Sequence, residues 1–189
     1  MVKYHYFEAL EELSALAATA VSLACGTASV KEQSKLSDLR RSCDRLVCEL
    51  EDALFSDFLP PLERDNLAAC AHSLSRVAEQ ASELFCHGLH APSALRHNEE
   101  GEICIKLSAL LCDAVARLRR IRRPDEAPDV QGFRKLLSDG RSAHNTMLAK
   151  VHSGTLPRSA AQSIILTGRL RCELSRAFDE LVEIMLNNI

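Results

Sequence analysis

Tryptophan is absent from this chain of 189 residues, and other aromatic residues, glycine and proline are scarce. Aromatic residues make up 4% of the sequence, and seven glycines and six prolines separate long stretches rich in Leu, Ala, Arg and Glu. Glycine and proline disfavour the interior of a helix, whereas Leu, Ala, Arg and Glu favour it. The composition therefore predicts an all-α protein, long enough for a single domain over residues 1–189 with a substantial core.

The sequence also lacks a long apolar run and a strong excess of charge of one sign. Its most apolar early stretch, residues 13–25, is too short to cross a bilayer, and Glu8, Glu11 and Glu12 precede it where a signal peptide would be basic. The net charge of −3 gives no reason to expect a polyanion as the partner. We therefore expect a soluble protein that does not bind nucleic acid.

The eight cysteines fall mostly at apolar-face positions of the predicted helices, where small buried thiols serve as core residues. No paired Cys-x-x-Cys spacing of a zinc knuckle occurs among them. We expect the thiols to be reduced and the protein to be cytoplasmic. The cysteines are Cys25, Cys43, Cys48, Cys70, Cys86, Cys104, Cys112 and Cys172.

Apolar residues recur every three or four positions in six stretches, which predicts six long amphipathic helices. Short connections between long helices force neighbours to run antiparallel. The helices then divide into two three-helix halves, residues 1–88 and 97–189. We expect the first five helices near residues 3–25, 30–57, 62–88, 103–121 and 130–151.

For several residues the sequence predicts a specific location or role. The sixth helix should have Thr155 as its N-cap and Pro157 in its first turn, and continue to the C-terminus. Phe58 extends the apolar stripe of the second helix, and Leu74 lies on that of the third. His144 lies on the apolar stripe of the fifth helix, where a hydrogen-bonded core histidine is a more frequent role than a ligand or catalyst.

The connection between the second and third helices, FLPPLERDNL at residues 58–67, is a proline-based corner with acids just inside the next helix. Carboxylates there complement the helix dipole. Phe58, Pro61, Arg64 and Leu67 make this stretch resemble a motif of the PhoU-like phosphate-transport accessory proteins, close to Phe-Ile-Thr-Pro-Phe-Asp-Arg-Glu-Asp-Ile. That family's fold, six antiparallel helices in two three-helix halves, agrees with the number of helices indicated by periodicity.

The resemblance also implies carboxylate pairs, one helical turn apart, that bind metal between neighbouring helices. In the first half, Asp44 and Glu79 are the acids kept at those positions, while Arg40, Ser75 and Arg76 stand where other acids are expected. Two ligands are few for a hard cation, which prefers six or more oxygens. Asp44 and Glu79 are therefore the metal candidates, and a family-type metal cluster or other cofactor is not expected.

The second half has no carboxylate at the corresponding positions. Serine occupies both places on the fifth helix, and the sixth helix carries Thr167, Arg171 and Ser175. The two serines are Ser138 and Ser142. A metal site in this half is not expected.

One short stretch has the residue types of a zinc site: Cys86, His87, His90 and His97. Zinc sites use four nitrogen and sulfur ligands at turn-like spacing. Without a paired cysteine knuckle, however, a polar helix end followed by a loop is the favoured interpretation.

A run of arginines closes the fourth helix. Cations at this end complement the helix dipole, which explains them without a ligand. The alternative is a contact with an anionic surface or an acidic protein partner. The run consists of Arg117, Arg119, Arg120, Arg122 and Arg123.

No motif in the sequence indicates catalysis, because it has no glycine-rich phosphate loop and no nucleophile elbow. The resemblance implies a non-enzymatic accessory or regulatory protein of inorganic phosphate transport that contacts a membrane permease, and reaches the membrane only through that partner. Two alternatives are a helical adaptor unrelated to phosphate that binds another protein, and a metal-dependent hydrolase. Homo-oligomerisation is left open.

Overall fold

The computed structural model describes residues 4–26, 30–89, 98–120 and 127–188. These ranges contain helices and no strand, so the prediction of an all-α fold with six helices is confirmed. A short 3₁₀ turn, Leu118–Arg120, continues the fourth helix. The helices are α1 Tyr6–Cys25, α2 Val30–Ser56, α3 Arg64–Gly88, α4 Glu99–Arg117, α5 Val130–His152 and α6 Ala160–Asn188.

Four helices form the centre of the bundle. α1 packs against α3 and α4, and α6 packs against the same two helices. α2 lies outside on α1 and α3, while α5 lies outside on α4 and α6. One apolar cluster runs through both halves, and Leu10, Leu74, Leu107 and Leu174, one from each central helix, are each 0% exposed. The two halves therefore share a core.

The apolar stripe predicted for the third helix is the buried face of α3. All eight stripe residues of α3 are buried, and full burial of a leucine or phenylalanine side chain stabilises a fold by about 1.5–3 kcal/mol. Packing of such stripes, and not helix propensity alone, stabilises helices of this length. The stripe of α3 consists of Leu67, Cys70, Ala71, Leu74, Ala78, Ala81, Leu84 and Phe85.

The start of α6 differs from the expectation. The helix begins at Ala160, so the prediction of Thr155 as its N-cap and of Pro157 in its first turn is wrong. Gly154 adopts a left-handed conformation with φ of 78°. The amide of Ala160 then donates to the carbonyl of Pro157 at 2.9 Å, closing a tight turn before the helix. Turn-forming hydrogen bonds therefore occupy the residues expected to begin the helix.

Phe58 also differs from the expectation. α2 ends at Ser56, and Phe58 lies in the connection that follows, where it is 85% exposed. The three-and-four spacing applies only while the chain remains helical, so extending the stripe past the helix end was wrong. Phe55 and Leu59 are exposed beside it in the sequence, at 91% and 81%.

Several contacts bring one set of helix ends together. The Tyr6 hydroxyl, at the start of α1, donates to Asp57 Oδ2 after α2 at 3.0 Å. Arg119, just after α4, lies 3.2 Å from carboxylate oxygens of both Glu8 and Glu11 in α1. We call the end of the bundle formed by the start of α1, the α2–α3 connection and the end of α4 the corner end. Among the described helices, none is both long and apolar enough to span a bilayer.

Leu74→Asp tests the buried face of α3. The substitution puts a carboxylate where the side chain is 0% exposed, with no partner for the charge, so we expect the free energy of unfolding to fall by about 4 kcal/mol or more. Urea unfolding followed by circular dichroism measures the change. Leu186→Asp is the matched control, because Leu186 is 68% exposed and should tolerate the same substitution. Equal stability of the two variants would contradict the assignment.

Candidate functional site

The two acids that the resemblance assigns to a metal lie at the surface of the first half. The Asp44 side chain is 59% exposed and its Oδ1 lies 3.4 Å from Nη2 of Arg40, one turn earlier on α2. Glu79 is exposed on α3. Across the described ranges, no three His, Cys, Asp or Glu side chains are grouped closely enough to hold a metal ion. Metal binding by Asp44 and Glu79 stays a prediction.

In the second half, a buried charged cluster joins three helices. Glu100 in the first turn of α4 has a side chain only 2% exposed. Its Oε1 accepts a hydrogen bond from Nε of Arg171 on α6 at 2.9 Å, and its Oε2 lies 2.9 Å from Nδ1 of His144 on α5. Glu100, His144 and Arg171 together form what we call the α4–α6 cluster.

The start of α4 holds Glu100 in place. The Asn98 side chain accepts a hydrogen bond from the Gly101 amide at 2.8 Å and so caps the helix. Glu100 then lies in the first turn, where the helix dipole favours a negative charge. It also lies three residues before Ile103 and seven before Leu107, on the apolar stripe. The same periodicity that buries these two side chains therefore turns Glu100 into the bundle.

Two glycines make room for His144 and Arg171. A Cβ on Gly168 of α6 would lie 2.7 Å from Cε1 of His144, and one on Gly140 of α5 would lie 2.7 Å from Cδ of Arg171. Glycine inside a helix costs about 1 kcal/mol relative to alanine. A larger residue at either position would displace one of these two side chains from Glu100.

The cluster contains a permanent ion pair. Arginine stays protonated at any ordinary pH, so Glu100 and Arg171 form a permanent ion pair. Both carboxylate oxygens of Glu100 are engaged, and the side chain is almost fully buried, so it does not reach a ligand in solvent. The side chains of His144 and Arg171 are 18% and 9% exposed.

The side chains of His144 and Arg171 line an open groove on the α6 surface. The groove has a volume of about 450 Å³ and lies between residues of α3, α5 and α6. A second exposed arginine, Arg169, lies on its wall. The lining residues are Gln80, His144, Ile165, Gly168, Arg169, Arg171, Cys172 and Glu173.

A second ionic cluster borders the groove on the α3 side. Arg76 Nη2 lies 3.4 Å from Oε1 of Glu180, and its Nε lies 3.6 Å from Oε2 of Glu173. Ser73 also donates to Glu180, and Arg176 lies 3.0 Å from Glu173. Both acids on this side of the groove are therefore already paired with arginines.

Part of the arginine run at the end of α4 contacts acidic residues of the same chain. Arg117 pairs with Asp113 at 2.8 Å and donates to the carbonyl of Ala127 at 3.2 Å, while Arg119 pairs with α1 as described above. Arg122 and Arg123 lie outside the described residues. The expected anion or partner contact of Arg117, Arg119, Arg120, Arg122 and Arg123 stays a prediction.

The zinc candidates are only partly described. Cys86 is exposed and His87 is half-buried in the last turn of α3. His90 and His97 lie outside the described residues, so a zinc site made with them stays untested.

The thiols divide by burial, and all eight are free. Burial raises the pKa of the Cys43 thiol to about 11 and that of Cys70 to about 12, where the nearby Glu180 carboxylate adds to the effect. A hydrogen bond with the Cys25 thiol, followed by burial, raises the pKa of Cys104 well above its ordinary value. Thiols held protonated are poor nucleophiles, so these three are core residues.

The sequence matches no protein-family model and no curated protein. The structure matches a PhoU-like protein from Shewanella oneidensis MR-1 with a TM-score of 0.71 and 16% identity over 96% of each chain. It also matches a proposed PhoU-like phosphate regulatory protein from the same organism with a TM-score of 0.71 and 15% identity over 96% of each chain. This chain has the PhoU-like fold.

On this PhoU-like fold, arginines occupy places where the resemblance expects acids, and each joins two helices. Arg40 of α2 donates to the carbonyl of Ser75 on α3 at 3.2 Å. Arg76 of α3 contacts the two acids of α6, and Arg171 of α6 binds Glu100 of α4. Interhelical contacts that a bound cation could make are made here by side-chain cations.

Sequence reasoning missed Glu100 and the charged partner that it gives to His144. Glu99 and Glu102 flank it, and such acids at a helix start are ordinarily exposed partners of the dipole. The spacing to Ile103 and Leu107 was the signal that could have placed Glu100 on the buried face. The expected hydrogen bond of His144 is present, but its side chain is 18% exposed and lines an open groove, so it lies at the edge of the core.

Glu100→Gln tests whether the α4–α6 cluster depends on its carboxylate. The change leaves the Arg171 guanidinium without a counter-charge, and breaking a buried ion pair costs about 3–5 kcal/mol, so we expect a loss of that order in the free energy of unfolding. Glu99→Gln is the matched control on the exposed side of the same turn, with a loss of no more than about 1 kcal/mol. If both variants unfold at the same urea concentration as the parent, the cluster is not a stabilising contact.

Thiol labelling tests the division of the cysteines. At pH 8 a disulfide reagent should modify the three exposed thiols quickly, and three buried thiols with a raised pKa only after denaturation, because they are inaccessible and little ionised. Mass spectrometry of digested protein identifies the labelled sites. Fast labelling of the second group in the folded protein would contradict the packing. The exposed thiols are Cys48, Cys86 and Cys172, and the protected ones are Cys43, Cys70 and Cys104.

Proposed function

We propose that this protein is a cytoplasmic accessory or regulatory protein of inorganic phosphate transport that acts by contact with a membrane permease and not by catalysis. The PhoU-like fold supports the proposal, and one of the similar structures is described as a phosphate regulatory protein. The motif resemblance at residues 58–67 supports it independently of the fold.

An exposed apolar patch at the corner end is the observation that carries the proposal. Phe55, Phe58 and Leu59 are 91%, 85% and 81% exposed, although each would gain about 1.5–3 kcal/mol from full burial. Large apolar side chains grouped on a surface mark protein contacts, and phenylalanine is enriched in them. Two of the three residues, Phe58 and Leu59, lie in the stretch whose sequence resembles the family motif, and Phe55 lies in the last turn of α2 just before it.

The patch is held on a firm frame. Arg64 at the start of α3 reaches back to α2, where its Nε donates to the carbonyl of Leu54 at 2.9 Å, and its Nη2 donates to the carbonyl of Asp57. Tyr6 holds the Asp57 side chain from α1. Exposed apolar groups on a fixed backbone lose little conformational freedom on binding, so they suit recognition.

A charged side chain, Arg119, lies near the patch. Arg119 lies at the same end of the bundle, beside a cleft lined by residues that include Tyr4, Leu59 and Pro61. An apolar centre with a charged rim is the usual composition of a protein interface. We propose that the arginine run belongs to this rim and faces acidic side chains of the permease.

The rival hypothesis, a helical adaptor for a protein unrelated to phosphate, uses the same patch with a different partner. The loss of the family's acids favours it, since two of them are replaced by Arg40 and Arg76. Binding to a permease therefore distinguishes the two hypotheses, and exposure of the patch does not.

Retention on a detergent-solubilised low-affinity phosphate permease from the same organism tests the proposal. The protein should be retained, and a double variant, Phe55→Asp with Phe58→Asp, should bind at least about tenfold more weakly because apolar anchors dominate such contacts. Ile165→Asp is the control, since Ile165 is 40% exposed on α6 and lies in the groove away from the patch.

The results of this experiment test both the transport role and the patch as the contact. Failure of the parent protein to bind the permease would contradict the transport role and favour the adaptor. Binding by the double variant equal to that of the parent would contradict the patch as the contact. Thermal unfolding of each variant shows whether a loss of binding reflects a loss of folding.

A further inference from the structure

We propose that the groove on α6 is a binding site for a small dianionic oxyanion, either inorganic phosphate or the phosphoryl end of a small ester, held by Arg171, Arg169 and His144. The proposal concerns a different surface from the permease contact. It depends on the groove geometry and not on the role proposed above.

Arg171 is the centre of the site. Its side chain is 91% buried, and Nε is bound to Glu100, which fixes the orientation of the guanidinium plane. Among the described residues, no acceptor receives a hydrogen bond from its two terminal amino groups, and neither group is a sealed, unpaired atom of the core. Since the side chain lines the groove, these donors are open to it. A fixed arginine fork matches the geometry of phosphate oxygens.

His144 and Arg169 add polar groups to the same space. Nδ1 of His144 is bound to Glu100, so the ring is oriented, and Nε2 has no hydrogen-bond partner in the described part of the chain. With the proton on Nδ1, Nε2 can accept a hydrogen bond from a hydroxyl of the ligand. Arg169 is exposed on the groove wall, two residues before Arg171, and makes no ion pair with a described residue. An anion in the groove would therefore meet two arginines of α6 and an acceptor on α5.

The charge around the groove favours an anion. Arg169 and Arg171 line it, while Arg76 and Arg176 border it through their contacts with Glu173. Of the charged residues that line the groove itself, Arg169 and Arg171 are positive and only Glu173 is negative, and Glu173 is already paired with Arg76 and Arg176. The positive charge open to a ligand lies with Arg169 and the free donors of Arg171.

The two glycines make this arrangement specific to the site. Gly168 lies against the His144 ring, and Gly140 lies against the aliphatic part of Arg171. Any side chain at either position would displace His144 or Arg171 from its present orientation. The sequence therefore places two residues that weaken a helix where the ordered side chains of His144 and Arg171 require space.

Isothermal titration calorimetry with inorganic phosphate, and separately with glycerol phosphate, tests the proposal at low ionic strength. We expect millimolar or tighter binding of at least one of them, and the stronger ligand shows whether the free ion or an ester is preferred. Arg169→Glu should weaken that binding by about tenfold or more, since it removes one charged donor and adds a repelling carboxylate. Arg45→Glu is the matched control, because Arg45 is exposed on α2, which contributes no residue to the groove.

Labelling of Cys172 locates the ligand without changing Arg171, whose loss could unfold the protein. Cys172 is an exposed thiol on the groove wall, so the bound anion should slow its modification and leave Cys48 on α2 unaffected. Weakened binding in Arg169→Glu together with protection of Cys172 supports the site. Absence of binding of both ligands to the parent, equal binding by the two arginine variants, or unprotected Cys172 in the presence of a bound ligand would overturn it.

Discussion

The structure depends on the burial of apolar stripes among four central helices. α1, α3, α4 and α6 each contact two of the others, so their stripes face a common interior. Leu10, Leu74, Leu107 and Leu174 are completely inaccessible there. Non-directional apolar burial supplies most of the driving force of folding, and the polar contacts act within the frame that it sets.

The second half of the bundle contains a buried carboxylate, that of Glu100, whose desolvation costs considerable free energy. Burial of a carboxylate is tolerated only when partners and hydrogen bonds replace water. Glu100 meets that condition through Arg171 and His144, and Gly140 and Gly168 provide the space. Such a cluster contributes more to a fixed orientation of its members than to net stability. That orientation is what a ligand site on the α6 surface requires.

Arginines stand at positions where the resemblance implies metal-binding acids. Carboxylate pairs between helices attract a cation, whereas Arg40, Arg76 and Arg171 repel one and make contacts between helices. The charge that these side chains offer a ligand is positive. They therefore suit the anion proposed for the groove better than a metal ion.

Periodicity was sufficient to predict the six helices and their buried faces, because a stripe at helical spacing follows directly from burial of one side. It failed at Phe58 and Thr155, where the chain leaves the helix and hydrogen bonds of the turn decide the conformation. It also missed the α4–α6 cluster, since Glu100 is separated by 44 residues from His144 and by 71 from Arg171. Such pairing depends on which helices become neighbours, and local sequence carries little information on that.

Native-state hydrogen exchange, followed by mass spectrometry of peptides, tests the shared core most directly. If one interior stabilises both halves, the slowest amides of α1, α3, α4 and α6 should exchange with the same free energy and lose protection together as urea is added. Protected amides in α1 and α3 together with rapid exchange in α4 and α6 would show two independent halves and would contradict the account.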